Sequence, residues 1–571
     1  MSWIFGFYSK EKVASDVLSK HHPQAIASIN IDKCYIAIGG NKNMVVFNDT
    51  DAQNKYFICG AAISNNFENV LTNENWQTII SNHPKDIAEL NGHFCGVSVN
   101  NNSLNLFTDP LGLREFHIYE NQDGWYFSTR LDWLLKLNCF EIDFNEFGSR
   151  WLLTNQISNK SIIKNIFRLN CGAKATLENN QCVTLQYNWM PTTGSYITTD
   201  DFKNELNKII KLGLNQNSNL SLSLSGGLDS RVILSFLVNS KNKNWNCHTF
   251  QNNDTTDYNI ASQICKDLNI RHHKISNDIA GSQNIISDLF EYIGSTYLAG
   301  SGFTSLNLTH YKFLPQDEII IDGGFGEIWR REFLNRLYHL GRKDLEQNNF
   351  NKIPRYFLNR RAELFSADCN SFMNNGVVEQ IENLMNQLPA IKEIGLGNWL
   401  DIFSIKTRLS NFYAPEQARI DNFIKSFMPF AQPELLNVLF SLPVSERINN
   451  RLFKKIIKLN CPQLTKYNLA KGKMPYPYYF TPLMKRAYIR MYNKFKPESE
   501  HSDFDSFLIE MKEFIMDSLR SKSAQEYAPY NYKFIFNKID SYYKGVDSDR
   551  NFVDWFLTFE IFRQILQQKQ S

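Results

Sequence analysis

The stretch Leu222-Ser223-Leu224-Ser225-Gly226-Gly227-Leu228-Asp229-Ser230-Arg231 constrains this chain more than any other. Leu220, Leu222 and Leu224 alternate with serines, the period of a short buried strand. A glycine pair breaks that strand, and apolar residues at helical spacing follow from Leu228 to Val238. A strand, a tight glycine turn and a helix start together make an anion site. The glycines let the backbone close around oxygens, and the helix N-terminus offers free N–H groups and about half a positive charge. Ser225 and Ser230 add hydroxyl donors. Asp229 would repel a phosphate by itself; it makes sense there as a ligand of Mg²⁺ held against pyrophosphate. No Gly-Lys-Ser/Thr follows the glycines, which separates the stretch from a Walker A loop.

The flanking sequence alternates helix and strand. A helix is expected over Asp201 to Leu212, a strand over Cys247 to Gln251, a helix over Asp257 to Leu268 and strands at Arg271 to Ile275 and Glu318 to Ile321. In an open parallel sheet ligands bind beyond the carboxyl ends of the strands. Asp322-Gly323-Gly324-Phe325-Gly326-Glu327, at such an end, is therefore the expected second wall of the site. His272 and His273 fall on opposite faces of one strand and read as structural. The run Trp329-Arg330-Arg331 reads as a solvated face leading into mostly helical residues from 330 to 420.

Residues 1 to about 190 read differently. Short segments of strand composition (Ala25 to Ile29, Cys34 to Gly39, Met44 to Asn48, Tyr56 to Ile63, Cys95 to Val99, Leu104 to Thr108, Trp125 to Ser128) point to mostly antiparallel sheet. The formal net charge of +3 on 571 residues gives no argument for nucleic acid or membrane. No apolar run approaches the ~20 residues of a membrane span, and the first residues lack a basic leader. Ten scattered cysteines form no Cys-x-x-Cys pair, so a soluble cytoplasmic protein is expected, with the thiols mostly buried.

The Ser225–Ser230 motif resembles the pyrophosphate loop of ATP pyrophosphatases, in the spelling of the class B asparagine synthetase family. The resemblance extends over about residues 3 to 480. Ile4-Phe5-Gly6, Leu90-Asn91-Gly92-x-Phe94, Asp109-Pro110-Leu111-Gly112-Leu113-Arg114 and Phe127-Ser128-Thr129 resemble, in order, pieces of that family's N-terminal glutaminase domain. The resemblance implies an α/β protein. An Ntn-type αββα sandwich over 1–190 would precede a parallel-sheet ATP-pyrophosphatase domain with added helices over 200–571. The family's nucleophilic Cys is Ser2 here, and its glutamine-binding Asn-Gly-Glu is Cys59-Gly60-Ala61. A serine hydroxyl needs far stronger activation than a thiol, so a retained scaffold without glutaminase activity is expected. Aligned on Gly323, Glu327 falls on the family's second magnesium carboxylate, whereas Gly324 replaces a Glu that helps asparagine formation. Lys473 and Tyr476 match the family's Arg-x-Lys-x-Gly-Phe stretch, and Lys471 replaces its Arg.

These matches imply ATP and Mg²⁺ as cofactors. Ser225, Gly226, Gly227, Asp229, Ser230, Asp322 and Gly323 would bind the nucleotide, Asp229 and Glu327 the metal, and Lys473 would be catalytic. The implied reaction is amide formation through an acyl-adenylate. Relatives that lost the Cys, the β-lactam synthetases and lasso-peptide macrolactam synthetases, take an amine from their own substrate. The expected substrate is a carboxylate-bearing small molecule or peptide, with a precursor peptide and its protease as partners. Two alternatives stand beside this: a glutamine- or ammonia-dependent amidotransferase such as asparagine synthetase, and a catalytically dead binding scaffold.

Overall fold

The computed structural model describes residues 2–11, 15–31, 33–50, 54–100, 103–153, 155–192, 197–215, 219–251, 256–276, 284–298, 300–331, 334–358, 361–471, 474–495 and 503–568. The fold is mixed α/β, with two antiparallel sheets followed by a parallel one. The first sheet runs in the order Ile166–Leu169, Phe116–Glu120, Gly124–Ser128, Trp3–Ser9, Cys34–Gly39, Ala27–Ile31. The second runs Gln181–Gln186, Ala173–Glu178, Ser103–Thr108, Asn91–Asn100, Asn54–Ile63, Val45–Asn48.

Strand periodicity sets the layers. Ile4 and Tyr8 of the first strand point inward and share a core with Ile36, Phe57, Val97 and Leu106 of both sheets. Trp3, Phe5 and Phe7 point the other way, onto helical residues such as Trp133, Phe147 and Phe559. The helix Asn73–Asn82 covers the far face of the second sheet with Trp76 and Ile80. Helix, sheet, sheet and helix therefore stack as expected for an αββα sandwich. The strand Gln181–Gln186 is an almost wholly exposed edge, so it carries no buried face for the sequence to advertise.

The parallel sheet has the order His272–Ser276, Trp245–Gln251, Leu220–Ser223, Ile319–Ile321, Lys425–Phe427. Leu222 pairs with Cys247 on one side and Ile321 on the other. The chain moves outward from the central strand in one direction, then returns to its other side. That is a topological switch point, where the two neighbouring crossovers part and leave a crevice at the carboxyl ends of the strands. The loops after Leu220–Ser223 and after Ile319–Ile321 flank it.

The antiparallel and parallel parts share their cores. Ala61, Ile63 and Leu111 pack in one cluster with Phe202 and Leu206. Eight of the ten cysteines are buried. Among the described residues no helix is long and apolar enough to cross a membrane.

Candidate active site

The loop is built by its own side chains. Ser225 N–H donates to Ser230 Oγ (3.2 Å), the two hydroxyl oxygens lie 3.2 Å apart, and Gly227 N–H donates to Ser225 Oγ (3.1 Å). Gly226 N–H donates to Asp257 Oδ1 at 2.6 Å, at the start of the helix Thr256–Asp267. The helix Asp229–Asn239 follows, and Val232 N–H to Leu228 O (3.0 Å) closes its first turn. The first amides of a helix generally lack intrahelical partners, which is why helix N-termini suit anions.

The two sequence-predicted walls meet. A β-carbon at Gly323 would lie 2.8 Å from Asp229 Cβ and from Ser230 N, and one at Gly326 would overlap Asp229 Cγ. Only glycine lets the second segment lie this close to the first. Asp322 Oδ1 accepts from Gly324 N–H (2.7 Å), and burial pushes its carboxyl up to about 6.

The carboxylates expected to hold metal are each clasped by a guanidinium. Arg330 Nε lies 2.6 Å from Asp229 Oδ1, and Arg330 Nη2 donates to Oδ2 at 2.9 Å. Arg408 donates to Glu327 Oε1 through Nε (3.1 Å) and Nη2 (2.9 Å), and Tyr413 Oη donates at 2.7 Å to the same oxygen. Arg330 is therefore part of the site rather than of a solvated face, and Arg331 lies 3.4 Å from buried Asp401. Among the described residues no group of three or more His, Cys, Asp or Glu could hold a metal ion. Magnesium needs fewer, since it takes one or two carboxylates and completes its shell with water and substrate phosphates. Asp229 and Glu327 supply hard oxygens of that kind, so the donor set fits.

The hairpin Leu469–Lys471 and Met474–Tyr476 forms a third wall. Ala470 N–H donates to Gly226 O at 2.9 Å. Buried Arg231 donates to the carbonyls of Gly226 (3.2 Å), Leu464 (3.4 Å), Tyr467 (3.0 Å) and Asn468 (2.6 Å). Lys473 lies outside the described residues.

A cavity of about 440 Å³ opens beside the loop, lined by Phe250, Asp257, Leu308, His310, Tyr311 and Glu416 among others. Burial pushes Glu416 up to about 7, against the opposing charges of Arg419 and Arg408.

At the other end of the interface, Ser2 is fully buried. Its Oγ donates to Asp421 O at 3.3 Å, and Arg114 Nη2 donates to Ser2 O at 3.2 Å. Asp421 Oδ1 lies 3.1 Å from His93 Nε2 and accepts from Gln417 Nε2 at 3.1 Å, while Oδ2 lies 3.5 Å from Arg114 Nε. Burial alone would raise the Asp421 carboxyl, but His93 and Arg114 hold it below its ordinary value. Cys59 is also fully buried, and a β-carbon at Gly60 (φ +98°) would overlap His93 O.

No family model matches this sequence, and no curated protein matches it. Solved structures do. An allosteric regulatory enzyme of purine biosynthesis is 10% identical over 39% of this chain, with a TM-score of 0.22; the chain spans 60% of that enzyme's length. The glutamine phosphoribosylpyrophosphate amidotransferase from B. subtilis, complexed with ADP and GMP, is 10% identical over 58% of this chain and 77% of its own (TM-score 0.23). The NH3-dependent NAD synthetase from Campylobacter jejuni is 15% identical over 34% of this chain and 98% of its own (TM-score 0.18).

The sequence pointed to the loop and to the glycine segment. It missed Arg330, Arg408, Tyr413, His310 and Glu416, which reach the site from segments far away in the chain. The one signal available for Arg330 was its position three residues after Glu327, at the end of the short helix Gly326–Trp329.

Proposed function

We propose that this protein joins a carboxylate to an amine at the expense of ATP, through an acyl-adenylate, with AMP and pyrophosphate as products. The observation that carries the reading is the Ser225–Ser230 loop at the switch point, with Gly323 and Gly326 packed directly onto Asp229. A carboxylate oxygen attacks the α-phosphorus, the bond from that phosphorus to the bridging oxygen breaks, and pyrophosphate leaves. An amine nitrogen then attacks the acyl carbon, the bond to AMP breaks, and the nitrogen loses a proton.

This chain's residues serve the first step in separate ways. The loop and the amides at the start of the helix Asp229–Asn239 bind the departing pyrophosphate. Asp229 and Glu327 would hold magnesium, which when bound offsets the negative charge of the phosphates. Arg330 and Arg408, planar cations now on those carboxylates, match phosphate oxygens equally well. Lys473 is assigned, from the sequence motif alone, to charge that develops in the transition state.

The amine comes from the substrate, as in macrolactam or lasso-peptide cyclisation, rather than from glutamine. Ser2 is sealed against Asp421, and no carboxylate stands in Cys59-Gly60-Ala61 to hold glutamine's amine. The carboxylate substrate is a small molecule or a peptide, with a precursor peptide and its protease as the matching partners. The arginine clasps on Asp229 and Glu327 and the departures at Ser2 and Gly324 are what favour a dead binding scaffold instead.

One assay separates these readings. Purified protein with ATP, Mg²⁺ and pools of amino-carboxylate compounds or peptides is expected to release AMP and pyrophosphate only when a substrate is present. Release of ADP and phosphate would overturn the reading, and nucleotide binding without any turnover across the pools would favour the scaffold.

A further inference from the structure

The outer face of the second antiparallel sheet is only partly covered by helix. Strand alternation puts Ala175 and Leu177 into the core between the two sheets, so Lys174 of the same strand stands on the outer face. Its cross-strand partner is Phe107, and Ser98 pairs with Asn105 on the same face. Trp76 of the helix Asn73–Asn82 packs there against Phe94 and Phe107, at 5.5 Å and 6.1 Å between ring centres. Where that helix ends, the chain passes through Pro84 to the short helix Asp86–Glu89. A cavity of about 280 Å³ lies between these segments and the sheet. That is the small end of the range of ligand pockets, about 300–1,000 Å³.

Its lining divides by chemistry. Ile80, Pro84, Ile87, Ala88, Phe107 and Tyr187 make an apolar wall, and the charged residues on it are Lys85 and Lys174. Asp86 and Glu89, on the short helix after Lys85, are exposed and do not line it. Lys174 is half-buried, and burial lowers its pKa with no carboxylate to oppose the shift. Among the described residues neither ammonium has a hydrogen-bond or ion-pair partner. A charge drawn out of water without a counter-charge is costly, so such a group favours an anion. Two more donors stand beside Lys174. Asn105 Oδ1 accepts from Thr176 Oγ1 at 2.8 Å, which leaves its amide N–H groups over. Ser98 is only 6% exposed, and its hydroxyl makes no hydrogen bond among the described residues. Ammonium, amide and hydroxyl can all donate, and the lining holds no carboxylate.

We propose that this cavity binds a small amphipathic carboxylate, its charged end on Lys174, Ser98 and Asn105 and its hydrocarbon body against Phe107, Ile80 and Ile87. A carboxylate accepts from several donors at once, and a hydrogen bond between ionised partners is about twice as strong as a neutral one. Lys85 is exposed and adds positive charge to the approach. Inorganic phosphate would leave the apolar wall wet, so the hydrocarbon body is part of the recognition. Ser98 stands five residues along its strand from His93, roughly 17 Å, so the site is separate from the Ser2 cluster. It shares no lining residue with the cavity beside the Ser225–Ser230 loop, and the assignment does not depend on the ligase reading. The antiparallel region thus carries a ligand site of its own although Ser2 is sealed.

The test is calorimetric titration of the full chain, without ATP, using octanoate, 1-octanol and inorganic phosphate as probes. Octanoate is expected to bind at least about tenfold more tightly than the alcohol, the worth of a hydrogen bond to a charged group. Phosphate at the same concentration should not displace it. Lys174→Met keeps the apolar stem and removes the charge. It should bring octanoate down to the affinity of 1-octanol, with alcohol binding and the melting curve unchanged. Equal binding of octanoate and 1-octanol, no binding of either, or unchanged octanoate affinity in folded Lys174→Met would overturn the proposal. So would displacement by phosphate, which would make this a plain anion site. If Lys174→Met does not fold, the comparison of probes on the unaltered protein still decides. AMP release is measured in a separate assay, so this proposal and the ligase reading fall separately.

Discussion

The Ser2 nest and the Asp229 loop are both polar clusters at sheet ends, and they have opposite fates. Around Ser2 a buried carboxylate lies 3.1 Å from a histidine nitrogen and 3.5 Å from an arginine nitrogen, and the hydroxyl is spent on a backbone carbonyl. Around Asp229 the side chains pair nearer the surface, and a cavity lies alongside. A cluster that completes itself stabilises a fold, and one that leaves donors and acceptors over can take a ligand. On the proposed function, the sandwich region keeps the first kind of cluster and the parallel-sheet region the second.

Three substitutions sharpen this contrast. The largest effect should come from Asp421→Ala, which removes the anion beneath His93 and Arg114. Breaking a buried pair from one side costs about 3–5 kcal/mol. The expected result is a much earlier thermal transition, and an unshifted one would mean that the nest is not structural. Next is Asp229→Asn, which keeps size but removes a carboxylate from the loop. Pyrophosphate release is expected to fall at least about a hundredfold, roughly 2.7 kcal/mol of barrier, with an unchanged melting curve. Wild-type rates there would put the loop in the same class as the nest. The smallest effect is expected from Ser2→Ala, which should leave amide synthesis unaltered and produce no change in glutamate release from glutamine. Glutamate release that disappears in this variant would return the nest to catalysis.

Local features of the site were legible in the sequence because each is written within about ten residues. The Leu220–Leu224 alternation, the glycine pair and the Leu228–Val238 helix lie next to one another, and the structure has a strand at Leu220–Ser223 and a helix at Asp229–Asn239. The helix expected over Asp201 to Leu212 is found at Thr199–Leu214, with Phe202, Leu206, Ile209 and Ile210 buried. His272, read as structural, stacks on Tyr258 and lies 2.8 Å from Thr249 Oγ1. What was not legible depends on distance. Arg330 looked solvated because its partner is 101 residues earlier in the chain. The strand Lys425–Phe427 is three residues long and, unlike the all-isoleucine strand Ile319–Ile321, has no apolar run to mark it. Ser2 could be read as a lost nucleophile, but not as a group buried under a carbonyl 419 residues away.

Arg231 has a consequence for turnover. One buried guanidinium reaches four backbone carbonyls, of which one belongs to the loop and three to the approach to the hairpin. The loop and the Leu469–Tyr476 hairpin are thereby coupled mechanically, and neither can shift without straining the same side chain. Pyrophosphate bound between them would not be let go by a flexing loop. A single arginine thus ties the position of the loop to that of the hairpin.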